Sequence, residues 1–210
     1  MRGVSHQIAA IAAVAPSVWL IATATRGPAR LGAIVYAASL VTLLTVSAVY
    51  HRVLWPSPVR HLVGRIDHSA IFLLIAGTYT PFCLLIGDGT GDLLLRAVWI
   101  AAAAGVVLVV FWHGMPKSLR SLLYVLLGWF IFPVLPVLRA AIGNEALALL
   151  FVGGFFYTVG AVVYAARRPD PFPRVFGFHE IFHLLVIAAA GCHFLVVAAA
   201  VRALGGPTSP

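Results

Sequence analysis

The stretch FGFHEIFHLLVIAAAGCHFLVVAAAV, Phe176 to Val201, carries one acidic residue, Glu180, and no lysine or arginine over 26 positions. As a helix it would rise about 39 Å, enough to cross the roughly 30 Å hydrocarbon core of a bilayer with a tilt. Six more apolar runs precede it, at residues 4–24, 31–50, 69–86, 93–112, 119–138 and 146–166. Between them stand Arg26-Gly27-Pro28, Trp55-Pro56-Ser57-Pro58, residues 87–91, Gly114-Met115-Pro116, Gly143-Asn144 and residues 169–173, all rich in helix breakers and turn formers. The sequence therefore predicts an all-α, polytopic membrane protein: one domain over residues 1–210 with seven transmembrane helices.

Composition agrees. The 210 residues are 62% hydrophobic and 10% charged, where a soluble domain has about 25% charged residues. The net charge of +8 does not point to nucleic acid, because the basic residues sit singly or in pairs between apolar runs, as membrane-flanking anchors do. Trp19, Trp55, Trp99, Trp112 and Trp129 mostly lie near span ends and read as interfacial anchors. Cys83 and Cys192 fall inside apolar stretches and read as small buried hydrophobes. The first apolar run is followed by six others, so it reads as a first span rather than a cleaved signal peptide.

Seven crossings put the chain ends on opposite sides. Arg2, Arg52, Arg60, Arg65, Lys117, Arg120, Arg167, Arg168 and Arg174 fall on the N-terminal side, against Arg26, Arg30, Arg96, Arg139 and Arg202 on the other. Nine against five places the N-terminus in the cytoplasm and the C-terminus outside, with the chain multi-pass in the cell membrane and lipids as its partners.

The histidines gather at the cytoplasmic span ends. His179 and His183 are four residues apart, so they share a helix face about 5–6 Å apart at Cβ, where both imidazoles can bind one ion. With Glu180 they form an HExxH pattern, in which the glutamate is a candidate general base; Glu180 can equally face the polar interface. His51 closes the second span, one turn beyond Ser47, and offers a third ligand at the same depth. Asp67 opens the third span, either as an N-cap for the amides of Ser69 and Ala70 or as part of the site. Ionisable groups inside spans are usually functional, which favours ligation by the three histidines. His68 reads as either a neighbour of the site or a plain interfacial histidine. His193 lies ten residues past His183, about 15 Å along a helix, too far to ligate with it. His6, His61 and His113 take no role.

Four motifs in order, Ser47-Ala48-Val49-Tyr50-His51, Asp67-His68, Ile75-Ala76-Gly77-Thr78-Tyr79-Thr80-Pro81-Phe82 and His179-Glu180-Ile181-Phe182-His183, resemble the hemolysin III family of bacteria. That family is related to the progestin and adipoQ (adiponectin) receptors. The resemblance spans essentially the whole chain and implies seven helices with the N-terminus inside. It also implies a Zn²⁺ held by His51, His179 and His183, a water on that ion held by Asp67, and Ser47 lining the site. Similar sets occur in alkaline ceramidases, so hydrolysis of a lipid amide is the implied activity. The receptors' large N-terminal extension has no counterpart here, so a hormone-receptor role does not carry over.

Three imidazoles leave zinc one open position, as in catalytic sites. Asp67 is then the candidate base, Glu180 the second, and Ser47 a donor to a developing oxyanion. A pore-forming cytolysin is the second reading, suggested by the family name, although the uniformly apolar spans offer no polar face to line a wide channel. A zinc-clamped sensor or regulator without catalysis is the third.

Overall fold

The computed structural model describes residues 3–172 and 175–206. Arg2 and Arg174 of the charge count, and Pro173 of the sixth break, lie outside the described residues. In chain order the helices are α1 (Val4–Thr23), α2 (Pro28–Arg52), α3 (Ser57–Ile86), α4 (Asp88–Phe111), α5 (Lys117–Gly128), a 3₁₀ stretch (Trp129–Val134), α6 (Leu135–Ala166) and α7 (Phe178–Leu204). Among the described residues the only pairing outside helices is an isolated bridge between Phe172 and Phe176. The protein is all-helical, and among the described residues six helical runs are long and apolar enough to cross a membrane.

The fifth of those runs, Lys117–Ala166, is 50 residues long and covers both 119–138 and 146–166 of the sequence reading. It is not straight. Gly143 sits at φ 81° and ψ 172° inside α6, a conformation glycine adopts without steric cost. The Trp129 indole N–H donates to Thr158 Oγ1 at 2.9 Å, and the Trp129 ring lies against Phe151. Residues on either side of Gly143 are thus side by side, and the chain doubles back there. Trp129 accordingly bonds inside the bundle rather than serving as an interfacial anchor.

The helix that carries the third apolar run starts 12 residues before it, at Ser57 rather than residue 69. Pro56 precedes the first helical residue and Pro58 sits in the first turn, where a missing N–H costs nothing. Val59, Leu62, Val63 and Ile66 then recur at helical spacing. The arginines 60 and 65 are carried on a helix, not in a loop. One consequence is that Asp67 stands in the body of α3 and is not an N-cap.

α3 is the axis of the bundle. It packs on α2, α4, α5, α6 and α7, and two-thirds of its apolar window (67%) is buried, against 17% for α1. Close approach depends on small residues, as usual between membrane helices. The space for a side chain at Gly105 of α4 is filled by the Phe72 ring of α3, and Gly77 of α3 faces Ser39 and Val35 of α2. Pro81 interrupts the α3 ladder, and the hydroxyls of Thr78 and Thr80 donate to the carbonyls of Leu74 and Ala76 at 2.7 and 2.9 Å. Where α5 passes into the 3₁₀ stretch, the Tyr79 hydroxyl lies 3.0 and 2.8 Å from the carbonyls of Leu127 and Gly128.

Gly105→Val should force a branched side chain against Phe72 and destabilise the protein by about 1–3 kcal/mol. A thermal melt in detergent checks it, with Gly89→Ala, where nothing lies within 4 Å of a β-carbon, as the neutral control.

Candidate metal centre

The start of α7 is set by two carboxylates. Glu180 Oε2 accepts the Gly177 amide at 2.9 Å, and Asp170 Oδ1 accepts the Phe178 amide at 3.1 Å. These bonds satisfy N–H groups that a helix start leaves without partners. They also place His179 and His183 on successive turns at one end of the bundle. His51 arrives in the last turn of α2.

The three imidazoles meet. Ring centroids are 4.7 Å apart for His51 and His179, 4.9 Å for His51 and His183, and 4.5 Å for His179 and His183. One nitrogen from each lies within 4.8 Å of the others, and the Nε2 atoms of His51 and His179 are 3.2 Å apart. Tetrahedral zinc with Zn–N bonds near 2.0–2.1 Å requires nitrogens about 3.3 Å apart. The donor set therefore fits such an ion: two nitrogens already stand at ligand separation, and three neutral imidazoles bring no competing charge. The group can hold a metal ion.

Ser47 and Asp67 are both buried, at 3% and 8% exposure, and their side chains are hydrogen-bonded to one another. Glu180, the alternative base, is instead engaged with the amide that opens its own helix. His68 donates through Nδ1 to the Gly64 carbonyl, and its Nε2 lies 3.4 Å from the Tyr164 hydroxyl, so it links α3 to α6. His193 is outside the cluster, with Nε2 donating to the Leu150 carbonyl at 3.2 Å. His113 donates through Nδ1 to the Phe111 carbonyl at 2.9 Å.

His6, to which the sequence assigns nothing, belongs to the site. It lies in the first turn of α1, only 3% exposed. Its ring stacks on His183 with centroids 3.9 Å apart and planes within 7°, and its Nδ1 is 2.7 Å from Ser47 Oγ. With the Asp67 carboxylate as terminal acceptor, the Ser47 hydroxyl donates to Asp67 and accepts from the His6 N–H. The only sequence signal for His6 was its place at the same end of the bundle as the other histidines.

The cluster lies in the wall of a cavity of about 350 Å³ inside the bundle. Apolar side chains such as Leu43, Ile71, Ile75 and Val186 form most of its surface, which extends to Thr158 and His193.

The family profile described as Haemolysin-III related matches residues 1–194. Hemolysin-3 of Bacillus cereus is 32% identical over 200 residues, covering 93% of this chain and 88% of that protein. The Hemolysin-3 homolog of Bacillus subtilis is 33% identical over 164 residues, 78% of this chain and 74% of its own. Human monocyte to macrophage differentiation factor is 29% identical over 173 residues, 80% of this chain and 69% of its own. The chain belongs to the haemolysin-III family and is a multi-pass membrane protein.

Elemental analysis of detergent-purified protein should find about one metal ion per chain, lost in His51→Ala and in His179→Ala. His6→Ala should keep that stoichiometry but weaken affinity about 10–100-fold, the usual effect of removing a residue that orients a ligand. Chelator competition measures it, and His6→Phe, which retains the stacked ring, should lie between.

Proposed function

We propose that the chain is a zinc-dependent hydrolase of a lipid amide, with His51, His179 and His183 holding the ion. The observation that supports this reading is the convergence of three imidazole nitrogens on the wall of a mainly apolar cavity within the bundle. Zinc bound by three histidines with a position open supplies Lewis-acid polarisation of a carbonyl and a lowered pKa for water.

The protein's own groups do the rest. The apolar wall around Leu43, Ile71 and Val186 receives the acyl chain and excludes bulk water. Asp67 accepts a proton from the attacking water and returns it to the amine nitrogen as the carbon–nitrogen bond breaks, giving a carboxylic acid and an amine. Ser47 holds the Asp67 carboxylate in place and is itself held by His6. A hydroxyl has one proton to give, so donation from Ser47 to an oxyanion requires release of its bond to Asp67.

Seven crossings with the N-terminus in the cytoplasm belong to the same reading. A straight 50-residue helix would be about 75 Å long, more than twice the hydrocarbon core, and the chain turns back at Gly143. The arginine and lysine asymmetry then puts the histidine-bearing end on the cytoplasmic side. Cysteines introduced at the exposed Ser118 and Ala203 should be labelled from opposite sides of the membrane, with position 118 reached from the cytoplasm. Labelling of both from one side would remove the seventh crossing.

The name of the Bacillus cereus relative, Hemolysin-3, favours pore formation as the second reading. Liposomes carrying the metal-loaded protein should retain trapped dye under the hydrolase reading; leakage would support the pore. For catalysis, Asp67→Asn should retain metal while losing about 10²–10⁴-fold in turnover, the usual contribution of a general base. Wild-type protein with full zinc occupancy and no turnover across a panel of lipid amides would overturn the hydrolase assignment and leave the zinc clamp.

A further inference from the structure

A second cavity, of about 600 Å³, opens at the histidine-bearing end between the start of α3, the end of α4 and the start of α5. Arg60, His61, Arg65, His68, His113 and Arg120 line it, and no aspartate or glutamate does. Basic residues that merely flank spans reach outward singly to the headgroup layer. Here, three separate segments bring theirs to one concave surface.

Part of that surface is held in place. The Arg60 guanidinium lies 5.6 Å from the centre of the Tyr50 ring. Tyr50 is in turn seated on Gly64, where a β-carbon would come within 3.1 Å of its hydroxyl oxygen. The Nε of Arg120 is sealed from solvent and has no acceptor among the described residues. Elsewhere the Arg120 guanidinium bonds the Tyr164 hydroxyl and acts on the Asp67 carboxylate, and its buried Nε–H still calls for an acceptor.

We propose that this cleft binds a phosphate group, presented by the headgroup of an anionic membrane lipid. Guanidinium forks match pairs of phosphate oxygens, and basic pockets between spanning helices suit anionic headgroups. Trp112, the residue that ends α4, lines the cleft and marks the interfacial depth at which lipid phosphates lie. Tyr50, Arg60, His68 and Arg120 line both cavities, so a headgroup bound here places its chains beside the three-histidine site.

The test uses full-length protein in neutral detergent, titrated with short-chain phosphatidylglycerol, with phosphatidylcholine of the same chains, and with inorganic phosphate alone. The anionic lipid should bind at least tenfold more tightly than the zwitterionic one. Arg60→Gln/Arg65→Gln should lower that affinity at least tenfold while leaving metal content unchanged, and Arg60→Lys/Arg65→Lys should recover part of it. Tight binding of inorganic phosphate would support the phosphate site and name free phosphate as its source; a much tighter lipid would support the lipid as source. Equal affinity for the two lipids, or an anionic-lipid affinity unchanged by the glutamine pair, would overturn the proposal.

Discussion

No water is available in the middle of a bilayer to satisfy a polar group, so each backbone N–H and carbonyl must find its partner within the protein. That constraint makes every span a helix and decides what happens where a helix is interrupted. The Tyr79 hydroxyl reaches two carbonyls where α5 becomes 3₁₀. Polar side chains come under the same constraint. His6, Ser47 and Asp67, from three different helices, are buried and linked by hydrogen bonds, beside a cluster of three imidazoles. An isolated polar group at that depth would be costly, and in the connected set the Nε2 of His6 is the atom left without a partner among the described residues.

The long apolar helices were legible because their signal is local and long: runs of about 20 apolar residues between breakers. The pair His179 and His183 was legible for a similar reason, since a spacing of four fixes a shared helix face. The start of α3 was obscured by its charges. Arg60 and Arg65 resemble a loop in composition, while Val59, Leu62, Val63 and Ile66 carry a helical period that a search for uniformly apolar windows passes over. The earlier start removes the N-cap alternative for Asp67 and leaves it buried in the body of α3. Gly143-Asn144 was readable as a break, but not that a single residue would depart from helical geometry. His6 was beyond reach, because its contacts lie 41 residues away at Ser47 and on the last helix at His183, with no periodicity to connect them.

Glu180 shows why a short motif needs its surroundings. In HExxH proteases the glutamate is the base, but here its carboxylate accepts the Gly177 amide and so fixes where α7 begins. The carboxylate that lies within the polar set, Asp67, comes from a different helix and has no fixed spacing to either histidine. Two residues of the pattern thus stand in the three-histidine cluster, and the third bonds the helix end that positions them.

The most peripheral helix makes the least expected contribution. α1 is mostly lipid-exposed, and in a bilayer apolar burial offers little preference for one neighbour over another, because lipid tails are as apolar as leucine. What distinguishes the seated α1 from a rotated one is polar: the His6 bond to Ser47 and its stack on His183. Rotating α1 by one residue, about 100°, would break both contacts and turn an imidazole toward lipid. The histidine cluster is therefore also a fold determinant, since the contacts of His6 with Ser47 and His183 are those that fix the orientation of the first helix.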